Sequence, residues 1–142
     1  MNNDLVFTPI RQLAELLKSR QISPMQLSEI FLDRLEQRGP SYNALTTLTR
    51  ERASRQAEHE ISAGDYKGPL HGIPWGAKDL LATSDGIPTS WGAAPLKDQT
   101  FDFDATVVRR LEEAGAVLAG KLAMIELAGG MGYRQPTATF TG

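Results

Sequence analysis

Cysteine is absent from the 142-residue sequence. That excludes disulfide scaffolds, thiolate zinc sites, iron–sulfur clusters and cysteine nucleophiles. Histidine is scarce: His59 and His71 are the two present, too few and too widely spaced to suggest a metal site. A Ser-His-Asp triad would have to use one of them. There is no basic excess, since 15 Lys and Arg stand against 17 Asp and Glu for a formal charge of −2. No direct nucleic-acid partner is therefore expected. Long apolar runs are missing too. The stretch from Ala114 to Gly132 is broken by Lys121 and Glu126 and falls short of the roughly 18 apolar residues of a membrane span. The opening Met-Asn-Asn-Asp lacks the basic and apolar regions of a secretory signal, so a cytoplasmic protein with no membrane partner is expected. What remains, 41% hydrophobic residues, suits a globular chain, and the length suits a single domain.

The first third reads as helix. Thr8-Pro9 is a start signal, with the hydroxyl as cap and proline at the first helical position. Ile10, Leu13, Leu16 and Leu17 then fall on one face. Ser23-Pro24-Met25-Gln26 repeats the signal as a capping box, followed by Leu27, Ile30, Phe31 and Leu35, and ended by Arg38-Gly39-Pro40. Residues 1–40 are thus expected to form a helix pair, and 41–142 the start of an α/β core. Leu45 to Leu48 reads as a short strand and Arg50 to Ile61 as a third helix. Ile73 to Lys78 reads as a strand whose period of two places Pro74, Gly76 and Lys78 on one face, with open space above the lysine. Asp104 is expected to cap a helix carrying Val107, Val108, Leu111 and Ala114, stopped by Gly115. Ala116 to Ala119 reads as a buried strand with Gly120-Lys121 after it, and Leu122 to Ala128 as a helical turn or two. Strand, helix, strand in that order implies an α/β class, a mixed sheet flanked by helices. Such a small sheet would leave open edges, so the expectation is the front part of a longer domain.

The centre of the chain, Pro69-Leu70-His71-Gly72-Ile73-Pro74-Trp75-Gly76-Ala77-Lys78-Asp79, resembles the lysine-bearing strand of the amidase signature family. Other pieces are similar to that family in the same order. They are Tyr42-Asn43-Ala44-Leu45, then Gly86-Ile87-Pro88-Thr89-Ser90 with Trp91-Gly92, then Asp104-Ala105-Thr106-Val107-Val108 through Glu113-Ala114-Gly115-Ala116-Val117 to Gly120-Lys121. Each piece alone is weak; four in order are specific. The resemblance implies an amide-bond hydrolase with a Ser–cis-Ser–Lys triad, no metal and no cofactor. It makes Lys78 the triad lysine, expected to be desolvated among small residues so that its amine can be neutral. Both triad serines belong to a Gly/Ser-rich segment, and no Gly-Ser-Ser-Gly run occurs in these 142 residues. The chain alone is therefore expected to be inactive.

Plainer readings stand beside these. Lys78 could be an ordinary strand-end lysine paired with Asp79. His71 is more simply a loop histidine bonded to backbone, and Asp79 a structural acceptor. Lys121 and Glu126 could be acid and base, but a structural network is preferred. Trp75 and Trp91 are read as packing residues. Gly129, Gly130 and Met131 resemble the family's loop at the edge of the substrate pocket, with a loop of no special role as the alternative. Three functions compete: a general amidase acting on a small amide, the front of a glutamyl- or aspartyl-tRNA amidotransferase A subunit with partner subunits, and a non-catalytic docking module. A homodimer is compatible with the first. Trp75-Gly76-Ala77 and Ile125 to Gly130 depart from the amidotransferase forms, which favours the general amidase.

Overall fold

The computed structural model of the chain describes residues 5–129. Four α-helices and three strands follow in the order α1 (Ile10–Lys18), α2 (Pro24–Arg38), β1 (Leu45–Leu48), α3 (Arg50–Ala63), β2 (Pro74–Lys78), α4 (Thr106–Glu113) and β3 (Val117–Leu122), with four short 3-10 turns between and around them. The sheet order is β1-β3-β2. β2 runs parallel to β3 and β1 antiparallel to it. The mixed sheet and the β2-α4-β3 crossover are those expected for an α/β chain.

Local signals explain most of the helices. The Ser23 hydroxyl accepts from the Gln26 N–H at 3.1 Å, while the Gln26 side chain accepts from the Ser23 N–H at 2.9 Å, closing the capping box. The start of α1 differs from expectation by one residue. Pro9 itself is the cap and its carbonyl accepts from Gln12 and Leu13, because a proline without an N–H fits wherever no donor is needed. α4 differs more: its cap is Ala105, and Asp104 is drawn instead to Arg52. A charged, bidentate bond is stronger than a neutral cap.

The core lies where α2 and α3 cover the sheet. Leu32, Ala53, Ala57, Val117 and Ala119 form one buried cluster. Leu13, Leu17, Leu27 and Ile73 form a second, joining α1 and α2 to the approach to β2. α2 contributes to both clusters, so it links α1 to the sheet. Strand β3 is buried through Lys121, as a central strand with covered faces must be. It runs three residues further than the apolar run suggests, because Gly120 and Lys121 pair with β1 and β2. After β3 the expected helical turns reduce to a single 3-10 turn, Glu126–Ala128, with Leu127 in the left-handed region. Among the described residues no helix is long and apolar enough to cross a membrane.

Candidate active site

Lys78 is the last residue of β2 and pairs with Leu122 of β3. Its side chain is exposed, and its Nζ donates to the carbonyl of Ala123, just past the end of β3. This departs from the expected desolvation. The open space expected above the lysine's face is also partly filled. A Cβ placed on Gly76 would lie 2.8 Å from the Leu122 side chain, so the glycine admits the cross-strand leucine rather than leaving a void. Among the described residues no carboxylate lies within ion-pair distance of Lys78, and Asp79 does not pair with it.

The buried amine in this region is that of Lys121, fully enclosed on the strand beside Lys78. Its Nζ donates to the carbonyls of Leu81 (2.9 Å) and Pro88 (3.2 Å) and to the hydroxyls of Thr83 (3.1 Å) and Thr89 (2.6 Å). The Asp79 carboxylate lies 3.2 Å away. Burial pulls the Lys121 amine below its ordinary range, and Asp79 opposes that shift. Glu126, the other half of the acid–base pair weighed above, is exposed and makes no ion pair with Lys121. The structural network is the reading the geometry supports.

Asp79 reaches further. Its Oδ2 accepts from the Ser90 N–H at 3.1 Å and from the Ser90 hydroxyl. The Ser90 oxygen in turn accepts from the Gly92 N–H at 3.2 Å. The Trp91 N–H donates to the Asp79 carbonyl, and the Trp91 carbonyl accepts from the Leu127 N–H at 2.7 Å. Ser90, Thr83 and Thr89 are all buried. Thr89 stands in the Gly-Ile-Pro-Thr-Ser motif, but nothing local marks it as a partner of a lysine 32 residues away. The Ser90 hydroxyl is buried against Asp79 and points away from solvent. Trp91 stacks on Phe101 with ring centroids 6.0 Å apart, in keeping with a packing role.

His71 precedes β2 and is nearly buried. Its Nδ1 lies 3.1 Å from Glu60 Oε2 and within 3.5 Å of the Lys67 N–H. Glu60 also takes the Lys67 ammonium at 2.6 Å. Burial pushes the Glu60 carboxyl up, but its bonds to Lys67 and His59 hold it, on balance, below the ordinary range. A cleft of about 470 Å³ between α3 and α4 is lined by Arg52, Gln56, Glu60 and Glu112, and Lys78 takes no part in it. Among the described residues no group of three or more His, Asp or Glu side chains is arranged to hold a metal ion. Gly129 is exposed at the end of the 126–128 turn, its N–H donating to the Glu126 carbonyl at 2.9 Å. Gly130 and Met131 lie outside the described residues.

The chain is similar to several known proteins. The glutamyl-tRNA(Gln) amidotransferase A subunit of Azoarcus sp. (strain BH72) is 42% identical over 129 residues, covering 89% of this chain and 26% of that protein. An acylamidase of Rhodococcus erythropolis is 37% identical over 113 residues, 78% of this chain and 24% of that protein. The crystal structure of the peptide amidase from Stenotrophomonas maltophilia superposes with a TM-score of 0.75 at 31% identity, covering 84% of this chain and 25% of that one. The chain spans about a quarter of the length of the curated relatives it matches. The sequence model of the family described as Amidase matches residues 26–141, and the chain belongs to that family.

Proposed function

We propose that this chain is the lysine-bearing front of one amidase domain that hydrolyses amide bonds, with Lys78 as the base of a Ser–cis-Ser–Lys triad. The observation that supports the assignment is the placement of Lys78. It ends a strand parallel to the central strand of the sheet, is exposed, is free of any carboxylate among the described residues, and is oriented by one backbone carbonyl. A base must reach the proton it takes. Lys121, fully enclosed, cannot reach a substrate proton.

In this reading a serine oxygen attacks the amide carbon, and its proton passes through the second serine to the Lys78 amine. The proton returns to the leaving nitrogen, and water then hydrolyses the acyl-enzyme. Both serines come from a segment beyond these 142 residues, so the chain by itself is inactive. The substrate is a small amide. Gly129, Gly130 and Met131 are assigned to the edge of its pocket. The identity to an amidotransferase A subunit over nearly nine-tenths of the chain supports a second reading, in which the amide is glutamine and partner subunits take the ammonia.

The test is amide hydrolysis by the complete enzyme and by its Lys78→Ala variant. Loss of kcat/KM on the order of 10³-fold or more is expected, as for other members of an acyl-transfer unit. A wild-type rate in the variant would end the assignment. Turnover by the 142-residue chain alone would contradict the need for serines from elsewhere. Preference for glutamine over simple amides, seen only with partner subunits added, would select the second reading.

A further inference from the structure

Successive residues of a strand point to opposite faces of the sheet. Ala77 pairs with Lys121 and Lys78 with Leu122, so Lys78 rises from one face while Lys121 and Asp79 lie under the other. There the Asp79 carboxylate is 1% exposed and Lys121 0%. Three separate segments meet on this pair. The Asp79 backbone donates to the Leu122 carbonyl at 2.9 Å, fixing the end of β2 to the end of β3. The Asp79 carboxylate holds Ser90, and Lys121 holds the 81–89 loop through Leu81, Thr83, Pro88 and Thr89. The carbonyl that orients the Lys78 amine belongs to Ala123, two residues after Lys121. The ion pair therefore has a grip on both the root of Lys78 and the acceptor at its tip.

We propose that Asp79 and Lys121 are positioning residues for the Lys78 amine, a clamp beneath the sheet that sets where the base stands. Simple stabilisation is a poor account of the pair. A buried ion pair is on average no more stabilising than apolar groups of the same volume, and here it is wired to the two strand ends that define one exposed amine. The proposal rests on Lys78 being the base. It adds that residues which cannot touch substrate govern the efficiency of that base.

The experiment uses the complete enzyme, with kcat, KM and the pH profile of kcat measured for Asp79→Asn, Lys121→Met and Ser90→Ala, alongside Lys78→Ala. Ser90→Ala removes one strut while leaving the ion pair, so it serves where the other two fail to fold. The expected result is a fall in kcat on the order of 10²-fold for Asp79→Asn or Lys121→Met, the size of effect produced by displacing a catalytic group by about 1 Å. Ser90→Ala should give a smaller fall in the same direction. KM should stay within about twofold, and the pH profile of kcat should be displaced. Lowered melting temperature with kcat and pH profile unchanged would overturn the clamp, as would a rise in KM alone. An unaffected Lys78→Ala variant would instead remove the reading beneath it, which keeps the two failures apart.

Discussion

Replacing Arg52 by methionine should destabilise the folded chain by about 2–4 kcal/mol at neutral pH. The Arg52 side chain is only 5% exposed. It donates to both Asp104 oxygens, at 2.9 and 2.7 Å, and to Glu112 at 2.7 Å. Asp104 also accepts from the Ser84 N–H at 2.8 Å, so one cluster ties α3 to the turn after β2 and to the start of α4. Methionine keeps most of the apolar stem, and the loss is that of a stranded carboxylate. Removing one member of a buried pair costs about 3–5 kcal/mol. Asp104 keeps a backbone donor and 17% side-chain exposure, which places the expected value at the lower end. Glu112, nearly half exposed, adds little. With a urea slope of roughly 1–3 kcal/mol/M, the midpoint should fall by about 1–2 M, read from the fluorescence of Trp75 and Trp91. The effect should also depend on pH. Burial pushes the Asp104 carboxyl up, but Arg52 and the Ser84 N–H hold it, on balance, below its ordinary value of 3.8. Because the folded value is the lower one, the stabilisation is present above the unfolded value and lost as pH falls through the folded one. The gap between wild type and variant is thus full at pH 7 and closes below pH 3.8. Adding Asp104→Asn to the variant should recover part of the loss, since a neutral amide needs no counter-charge. A midpoint shift under about 0.3 M, or a gap indifferent to pH, would refute the reasoning.

Three further outcomes follow from the geometry. Ser23→Ala removes the hydroxyl half of the α2 capping box and should cost about 1 kcal/mol in urea unfolding; a neutral substitution would show that the cap is redundant. Gly92→Ala should cost about 2–4 kcal/mol. Gly92 sits at φ +70, and a Cβ there would lie 2.7 Å from the Ile125 carbonyl oxygen and 2.8 Å from that of Met124, backbone atoms that cannot swing aside. A wild-type melting temperature would contradict this. Lys67→Met removes the 2.6 Å partner of buried Glu60. Glu60 is held below its ordinary value of 4.5, so its stabilisation is lost as pH falls through that depressed value. Without Lys67 the acid unfolding midpoint should move to higher pH, and an unmoved midpoint would show that His59 and His71 suffice.

Much of the fold is local and could be read from residue order. The capping box at Ser23, the short Leu-Thr-Thr-Leu strand at Leu45–Leu48 and the apolar run starting at Val117 each depend on neighbours within a few positions. Lys78 was marked by its motif, which is likewise contiguous. Whether it is desolvated was not legible, because that depends on Leu122, Ala123 and every other segment packed above β2. Asp104 shows the same limit. An aspartate before a helical run looks like a cap, yet an arginine 52 residues away competes for it and wins on charge and bidentate geometry.

What the sequence determined by itself was the order of elements, the α/β class and the strand end that carries Lys78, since periodicity, caps and turn residues act over one or two turns of chain. Only the tertiary structure decided which lysine is buried. Lys121 and Lys78 both stand at strand ends, and their motifs do not say which amine is enclosed. Pairing β2 beside β3 with Ala77 against Lys121 sends one amine into the loop of Thr83 and Thr89 and the other to the open face. Register between strands is a long-range property, and a slip of β2 by one residue would have put both amines on the same face.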